Sequence, residues 1–348
     1  MSQRLVYDLL LKDLQTWMEE QGEQPFRAKQ VYQWIYRDVQ SFDEMTNVGK
    51  ALREKLSEDF TLDGVQLVSH SGSEKDGSQK LLVALSDGNM VESVLMFHDY
   101  GTSLCVSTQV GCKMHCAFCA TGMDGFVRNL TAGEIVAQVV QANRLLKSRG
   151  RGPVQRLVYM GSGEPLDNYA NTVKSIRILH EPEGYNIGYR NFTISTAGLV
   201  EGIYNLTQEG LPLNLSISLH APNDKLRSQL LPIGKRYSIA EIIEAAMNYF
   251  DDSGRRVTIE YLLISGVNDT TELAKELASL IKKYPFHVDL IPYNEVGGVD
   301  FKRPSTSRIR VFMDILRERG VNATCRISQG RDIDAACGQL KRRFREQS

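Results

Sequence analysis

The sequence predicts an α/β protein: a partial barrel of six β/α units, preceded by a small helical domain and a short antiparallel β element. Three observations lead to this fold. Apolar side chains recur at helical spacing up to about residue 60, they alternate with a period of two from 64 to 98, and strands then alternate with amphipathic helices. Repeated β-then-α units favour a parallel sheet, and about six of them favour a full or partial barrel.

The composition is that of an ordinary globular protein. The chain has 348 residues, of which 41 are basic and 42 acidic, and 42% are hydrophobic, which excludes disordered and fibrous classes. No stretch approaches the roughly 18 apolar residues that a membrane span needs. The apolar run at residues 5–11 is broken by Asp8 and followed by no small-residue cleavage site. We therefore expect a cytoplasmic protein with no membrane partner.

Residues 1–62 are predicted to form an N-terminal helical domain. Leu14 and Trp17 lie on one apolar stripe, and a second stripe begins after Gly22 and Pro25. The net charge of −1 creates no global attraction for polyanions, so a nucleic acid would have to bind local basic patches. The basic side chains of these helices offer one such patch, although an ordinary solvated surface explains them equally well. They are Lys29, Arg37, Lys50, Arg53 and Lys55.

Residues 63–98 are predicted to form the antiparallel β element. Asp87-Gly88 followed by Asn89, between two apolar runs, is a hairpin signal. The element leads into the barrel, predicted over residues 99–340, and a basic tail follows at 341–348. The expected strands of the antiparallel element are 65–68, 80–85 and 91–96.

The barrel is predicted from alternating strand and helix patterns. Two capping boxes, Thr131 with Glu134 and Ser238 with Glu241, fix two of the helix starts. The expected strands are 104–109, 156–160, 191–195, 213–219, 257–264, 287–293 and 323–327. The expected helices lie near 132–148, 169–181, 198–208, 238–252, 270–284 and 305–319.

A loop with three closely spaced cysteines is the strongest chemical signal in the sequence. Cys112, Cys116 and Cys119 have C-x3-C-x2-C spacing between a predicted strand and a capped helix. Three thiolates on one loop can bind three irons of a [4Fe–4S] cluster and leave the fourth iron open to a small molecule. Zinc is the alternative, but it prefers four ligands, and His115 inside the first gap would strain the geometry. Inert thiols are the remaining alternative.

The cysteine loop resembles that of the radical S-adenosylmethionine (SAM) superfamily. That superfamily has a C-x3-C-x-aromatic-C motif after the first strand of a partial (β/α) barrel, and Phe118 occupies the aromatic position. The resemblance implies that the open iron binds SAM and that an electron from the reduced cluster cleaves SAM to a 5′-deoxyadenosyl radical.

Further SAM-binding residues are expected at the carboxyl ends of later strands, where barrels place their sites. These residues resemble SAM-contacting positions of radical SAM barrels, although each polar side chain alone is equally typical of a helix cap. They are Gly163, Glu164, Ser195, Ser218, Leu219, His220 and Asn294.

Two more cysteines narrow the resemblance to the RlmN/Cfr family of RNA adenine methyltransferases. That family has the sequence D-I-D-A-A-C-G-Q-L, found here around Cys337, and a second thiol at the position of Cys105. The resemblance extends from residues 25–30 to Leu340. From the residues alone, both thiols are equally compatible with small buried apolar positions.

The family resemblance implies roles for these residues. Cys337 takes a methyl group from one SAM, a radical from a second SAM removes hydrogen from it, and the carbon adds to adenine. Cys105 then removes the ring proton and attacks the sulfur of Cys337, which leaves a disulfide bond. Glu92 occupies a position that the family marks as an acid/base candidate, whereas Cys325 is expected in the core.

The substrate follows from the branch of the family. The segments G-S-G-E-P-L at 161–166 and H-A-P-N-D at 220–224 resemble the RlmN branch, which methylates C2 of adenine, more than the Cfr branch, which methylates C8. We expect 23S rRNA and some tRNAs as substrates, with residues 1–62 as the RNA-binding domain. We also expect a flavodoxin-type electron donor and a monomer. A radical SAM enzyme for proteins or small molecules, or an electron carrier, is the competing interpretation.

Overall fold

The computed structural model describes residues 3–123 and 125–340, together with the backbone of 343–344. Most of the predicted tail at 341–348 therefore lies outside the described residues. The N-terminal region is helical, as predicted. It contains β1 (Arg4–Leu5), α1 (Leu11–Glu20), α2 (Phe26–Ile35), α3 (Lys50–Asp59) and β2 (Phe60–Thr61), which pairs in parallel with β1.

The helical region packs directly onto the rest of the protein. Leu14 and Val31 are fully buried in the same apolar core as the residues of the barrel. Asp8 accepts hydrogen bonds from the backbone N–H of Gly133 at 2.5 Å and from the hydroxyl of Thr131 at 3.1 Å. A carboxylate at the first turn of a helix is favourable because that end has unpaired N–H groups and a partial positive charge.

The predicted antiparallel element is confirmed and is continuous with the barrel. It consists of β3 (Val65–Gly72), β4 (Gln79–Leu85) and β5 (Asn89–His98), and β5 pairs in antiparallel register with β6 (Gly101–Cys105). Val94 lies opposite Cys105 in this pairing. Because β6 also pairs in parallel with the next barrel strand, one sheet includes both parts.

Between two barrel strands the chain forms the cysteine loop. A small hairpin of β7 (Gln109–Gly111) and β8 (Phe126–Asn129) encloses the loop and the short helix α4 (Ala120–Met123). The predicted strand 104–109 is therefore wrong in its middle. Residues 106–108 leave it to bond with the chain around the end of the next strand, for example from Thr108 N–H to Ser162 carbonyl at 2.8 Å.

The remaining elements alternate as predicted, with one addition, the short helix α8. The two capping boxes are present at the starts of α5 and α9. The elements are α5 (Ala132–Ser148), β9 (Arg156–Tyr159), α6 (Tyr169–His180), β10 (Phe192–Thr196), α7 (Val200–Gln208), β11 (Asn214–Ser218), α8 (Asp224–Leu230), α9 (Ile239–Ser253), β12 (Val257–Leu263), α10 (Thr271–Ile281), β13 (His287–Pro292), α11 (Thr306–Glu318) and β14 (Ala323–Cys325).

The sheet has the topology of an open barrel. Seven parallel strands, β6 and β9 to β14, follow one another in chain order, with six β/α units between them. Among the described residues the edge strands β3 and β14 are not bonded to each other, so the barrel is partial. A short β15 (Arg343–Phe344) pairs with β5. Within the same residues no helix is long and apolar enough to cross a membrane.

Candidate active site

Two cavities lie inside the barrel. The upper cavity, of about 150 Å³, lies at the carboxyl ends of the parallel strands, and the lower cavity, of about 850 Å³, lies toward their amino ends. Cys337 contributes to the walls of both and therefore lies at the boundary between them. The residues that line both cavities are Met160, Ile291, Arg326 and Cys337.

The three loop cysteines, Cys112, Cys116 and Cys119, all line the upper cavity. Gly111 begins their loop with a φ of +75°, and a Cβ there would lie 1.8 Å from the carbonyl oxygen of Gly125. Only glycine therefore allows the two strands of the hairpin to approach so closely.

Backbone hydrogen bonds hold the cysteine loop in place from two sides. The N–H of Ala117 donates to the carbonyl of Leu230 at 2.9 Å, and the N–H of Ala120 donates to that of Gly338 at 2.8 Å. The second bond joins the cysteine loop to the segment that contains Cys337.

The three thiols fit a multi-iron cluster. Burial raises the pKa of Cys112 to about 12, and the charges of Glu164 and Cys119 raise it further. Burial also raises the pKa of Cys116 well above its ordinary value, and Cys119 and Cys112 raise it further. Buried thiolates so close together need positive charge, which iron supplies. Among the described residues no three potential ligands converge closely enough for a single metal ion. His115 does not line the cavity that the three cysteines share; its Nδ1 atom lies 3.1 Å from the carbonyl oxygen of Gly122.

Phe118 and His220 form one wall of the upper cavity. Their rings meet edge to face with centroids 5.0 Å apart. The Nδ1 atom of His220 accepts a hydrogen bond from the N–H of Leu262 at 3.0 Å. Burial, followed by the nearby charge of Arg227, lowers the pKa of His220 to about 3, so its ring is neutral at physiological pH. An uncharged aromatic wall of this kind suits a flat organic group.

Gly163 and Glu164 form the turn after β9. Gly163 has a φ of +106°, and a Cβ there would lie 2.6 Å from the Cβ of Gln109. The carboxylate of Glu164 accepts hydrogen bonds from the N–H groups of Ala197 at 2.7 Å and Leu166 at 3.0 Å. Burial nevertheless raises the pKa of Glu164 to about 7. Glu164 thus joins two strand-end loops and also lines the upper cavity.

Ser195 and Ser218 share one partner that the sequence analysis missed. Their hydroxyls donate to the same oxygen of Glu260 at 2.9 and 3.3 Å, and all three residues line the upper cavity. Two other predicted SAM-binding residues do not line it. Leu219 is buried in the apolar core, and Asn294 donates from its amide to the carbonyl of Cys337 at 3.3 Å.

A partly buried ion-pair network connects these residues to Cys337. The guanidinium of Arg326 lies 3.0 Å from Glu260 and 2.6 Å from Asp289, and another of its nitrogens lies 3.9 Å from the sulfur of Cys337. The sequence contains one signal for this network, because Glu260 is a lone acid within the apolar strand run at 257–264.

Cys105 and Cys337 both line the lower cavity, as does Cys325. Burial raises the pKa of Cys105, and the proximity of Cys337 raises it further. The side chain of Cys337 is exposed, although desolvation by the surrounding protein raises its pKa; Arg326 lowers it. All six cysteines are free thiols, so the predicted disulfide is not present in this structure. Cys325 is half-buried at the cavity wall and is not a pure core residue.

Glu92 lies in β5 and is buried, with 1% of its surface exposed. It shares a face of the sheet with Val94, which is paired with Cys105. The ammonium of Lys80 lies 3.5 Å from Glu92 and 3.4 Å from the carbonyl of Asp334, close to Cys337 in the chain. Glu92 does not line either cavity, but it is connected to the Cys337 segment through Lys80.

The fold and the three-cysteine cavity define a radical SAM enzyme, whose cofactors are a [4Fe–4S] cluster and SAM. Residues 106–278 match the family model of the radical SAM superfamily, and residues 6–62 match that of the ribosomal RNA large subunit methyltransferase N-terminal domain. The crystal structure of a radical SAM methyltransferase from Sphaerobacter thermophilus has a TM-score of 0.93 and 47% identity, over 97% of this chain and 99% of that one.

Curated relatives are similar in sequence over nearly the whole chain. A protein of Clostridium perfringens (strain SM101) is 47% identical over 97% of both chains, and one of Bacillus cytotoxicus is 47% identical over 98% of this chain and 94% of its own. Both have the name "Probable dual-specificity RNA methyltransferase RlmN". The chain belongs to the RlmN family of radical SAM RNA methyltransferases.

Proposed function

We propose that this enzyme methylates C2 of one adenosine of 23S rRNA near the peptidyl-transferase centre, and the adenosine 3′ of the anticodon in some tRNAs. The position of Cys337 between the two cavities is the observation that carries this proposal. A side chain that receives a methyl group from SAM and passes its carbon to RNA must be reachable from the cavity that binds SAM and from the cavity that binds RNA. The dual specificity in the names of the relatives supports two RNA substrates.

The chemistry requires a radical because the C2 carbon of adenine has no lone pair to attack SAM. A cluster bound by Cys112, Cys116 and Cys119 supplies, with SAM, a 5′-deoxyadenosyl radical when both are present. The thiolate of Cys337 attacks the methyl carbon of one SAM and displaces S-adenosylhomocysteine. The S-methyl group then loses a hydrogen atom to the radical from a second SAM, and its carbon adds to C2. RNA is thereby attached covalently to Cys337.

Release of the product requires a second thiol. In this proposal the thiolate of Cys105 takes the ring proton, and one electron leaves the radical adduct for the oxidised flavodoxin-type partner. The sulfur of Cys105 then attacks that of Cys337 while its proton passes to the methylene carbon. The C–S bond to Cys337 breaks, a disulfide forms, and methylated RNA leaves; the disulfide is reduced by two electrons before the next cycle. Their common cavity and the electrostatic effect of Cys337 on Cys105 support this pairing. Glu92, on the same sheet face, would assist proton transfer. We further propose a monomeric cytoplasmic enzyme and a flavodoxin-type reductase as its electron source.

The decisive experiment uses the two thiols asymmetrically. Cys105→Ala should still methylate Cys337 and add to adenine, but it should accumulate RNA bound to protein. We expect a nuclease-sensitive upward shift on a denaturing gel, with the adduct mapped by mass spectrometry to the peptide of Cys337. Cys337→Ala should form no adduct, and Cys325→Ala should turn over as the wild type does. Normal turnover by Cys105→Ala, or an adduct at Cys325, would contradict these roles.

The modified carbon is tested on the RNA itself. Product RNA digested to nucleosides should contain 2-methyladenosine and retain hydrogen at C8. Methylation of 23S rRNA and tRNA is measured separately in cells that lack and then regain the gene. Recovery of 8-methyladenosine as the main product would assign the enzyme to C8 methylation instead.

A further inference from the structure

The entrance of the lower cavity has basic side chains that the proposed chemistry does not use. Arg156, Arg190 and Arg256 lie at or just before the first residues of β9, β10 and β12, and all three line this cavity and are exposed. Within the part of the chain that the structure describes, none of the three forms an ion pair. They are separated along the chain and are brought together only by the barrel.

An aromatic stack borders the same entrance. Tyr100 is 60% exposed, and its ring is stacked on that of His98 with centroids 4.6 Å apart and planes 12° apart. The guanidinium of Arg156 lies 4.6 Å from the centre of the Tyr100 ring. Burial and the charge of Arg156 lower the pKa of His98, which favours its neutral form. The rings of His98 and Tyr100 and the guanidinium of Arg156 are thus already stacked at the surface before any partner binds.

Three of the five basic residues named in the N-terminal helices differ in this respect. Lys29 forms an ion pair with Glu183 at 2.5 Å, Lys50 lies 3.7 Å from Glu54, and Arg53 lies 3.7 Å from Asp43. Their charges are therefore partly neutralised within the protein, whereas those at the cavity entrance are not.

We infer that the lower cavity is the RNA entrance, where the three arginines bind phosphates beside the target adenosine and the His98–Tyr100 stack receives a neighbouring base. An enzyme that acts on a base takes it out of its stack, which leaves the adjacent bases without a neighbour. Aromatic side chains and guanidinium planes replace that neighbour in single-stranded RNA. The inference rests on the proposed RNA methylation and specifies the surface that it uses.

The dimensions of the lower cavity agree with this role. Its volume of about 850 Å³ falls within the range of roughly 300–1,000 Å³ that is usual for ligand sites. Cys105 and Cys337 line its wall, so a base that enters past the arginines reaches both thiols. A single RNA strand with one extruded adenosine is the occupant that fits these charges and rings.

Binding of an RNA hairpin containing the target adenosine tests the arginines. We expect Arg156→Gln/Arg190→Gln/Arg256→Gln to bind at least tenfold more weakly than the wild type. Its slope of log affinity against log salt should fall by about 2, because about three phosphate contacts are lost. An unchanged slope would overturn the inference. The same RNA incubated with iron-loaded wild-type enzyme, SAM and a reduced flavodoxin-type donor separates the two claims, because absence of methylation there would contradict the proposed function instead.

The stack is tested by variants of one ring. Tyr100→Ala should weaken binding about tenfold, the loss expected for one stacked base, and Tyr100→Phe should restore it. Tyr284 is a matched control because it also packs on an aromatic ring, Phe286, beside Lys283, but does not line the lower cavity. Tyr284→Ala should bind within about twofold of the wild type. Equal effects of Tyr100→Ala and Tyr284→Ala would refute a stacking role.

A crosslink to the wild-type enzyme gives an independent result. RNA with 4-thiouridine next to the target adenosine should crosslink to the peptide that contains His98 and Tyr100 or to the one that contains Arg156. Crosslinks confined to residues 26–55 would overturn the inference and assign docking to the helical region.

Discussion

The two ends of the barrel differ in what their charged side chains contact. At the carboxyl end, Glu164 and Glu260 have their oxygens bonded within the protein. At the amino end, Arg156, Arg190 and Arg256 are exposed. A site for a small cofactor needs side chains fixed before the cofactor binds, because small displacements weaken catalysis. A site for a polyanion can leave its basic side chains without acidic partners, because the phosphates of the polyanion provide the counter-charge.

The largest expected effect is the loss of iron binding and SAM cleavage when a cysteine at the carboxyl end of the barrel is replaced, with no such loss for a cysteine at the amino end. Cys119→Ala should purify without iron and produce no 5′-deoxyadenosine from SAM, because Cys119 lines the upper cavity where we propose that the cluster binds. Cys112→Ala and Cys116→Ala should behave in the same way. Cys325→Ala is the matched control, since that thiol lines only the lower cavity. An iron-loaded, SAM-cleaving Cys119→Ala enzyme would remove the distinction between the two ends.

A smaller effect concerns the neutral interior of the carboxyl end. The pKa of His220 is about 3 in the folded protein and near 6.5 in the unfolded chain, so the unfolded state binds more protons below pH 6.5. The stability that this residue contributes is present above pH 6.5 and is lost as pH falls toward 3. Between pH 6.5 and 5 the loss amounts to roughly 2 kcal/mol.

His220→Asn removes this titration and suits the backbone, because His220 has a φ of +60° and asparagine tolerates that region. Denaturant unfolding of both proteins across this pH range is the measurement. The free energy of unfolding of the wild type should fall more steeply with acid than that of the variant. Parallel curves would show that His220 is not buried as a neutral ring.

The smallest expected effect concerns the helical region. Lys29→Ala/Lys50→Ala/Arg53→Ala should change RNA affinity by less than about threefold, because each of these cations already has an acidic neighbour. Its salt dependence, measured with the same RNA hairpin as the arginine variant, should remain close to that of the wild type. A larger loss than that of the arginine variant would make the helices the main docking surface.

The sequence predicts local features of this protein well. The capping boxes place the starts of α5 and α9 correctly, because each box involves residues only three positions apart. The cysteine spacing likewise predicts a shared wall of one cavity, since all three thiols belong to one loop.

The sequence predicts poorly what the sheet brings together. Glu260 and Asp289 lie opposite each other only because β12 and β13 pair in that register, and Arg326 joins them from beyond β14. Leu219 shows a related limit. The sequence does not show which of two neighbours faces the cavity: the side chain of Leu219 packs in the core, whereas that of Ser218 lines the cavity.

The bonds between the cysteine loop and the Cys337 segment have a consequence for damage by oxygen. Besides the bond from Ala120 to Gly338, the hydroxyl of Thr121 donates to the carbonyl of Leu340 at 2.8 Å. Loss of iron would loosen the loop and, through these two bonds, the segment that contains Cys337. If Cys337 accepts the methyl group as proposed, both half-reactions would then stop together, and an oxidised enzyme would not consume SAM by methylating itself.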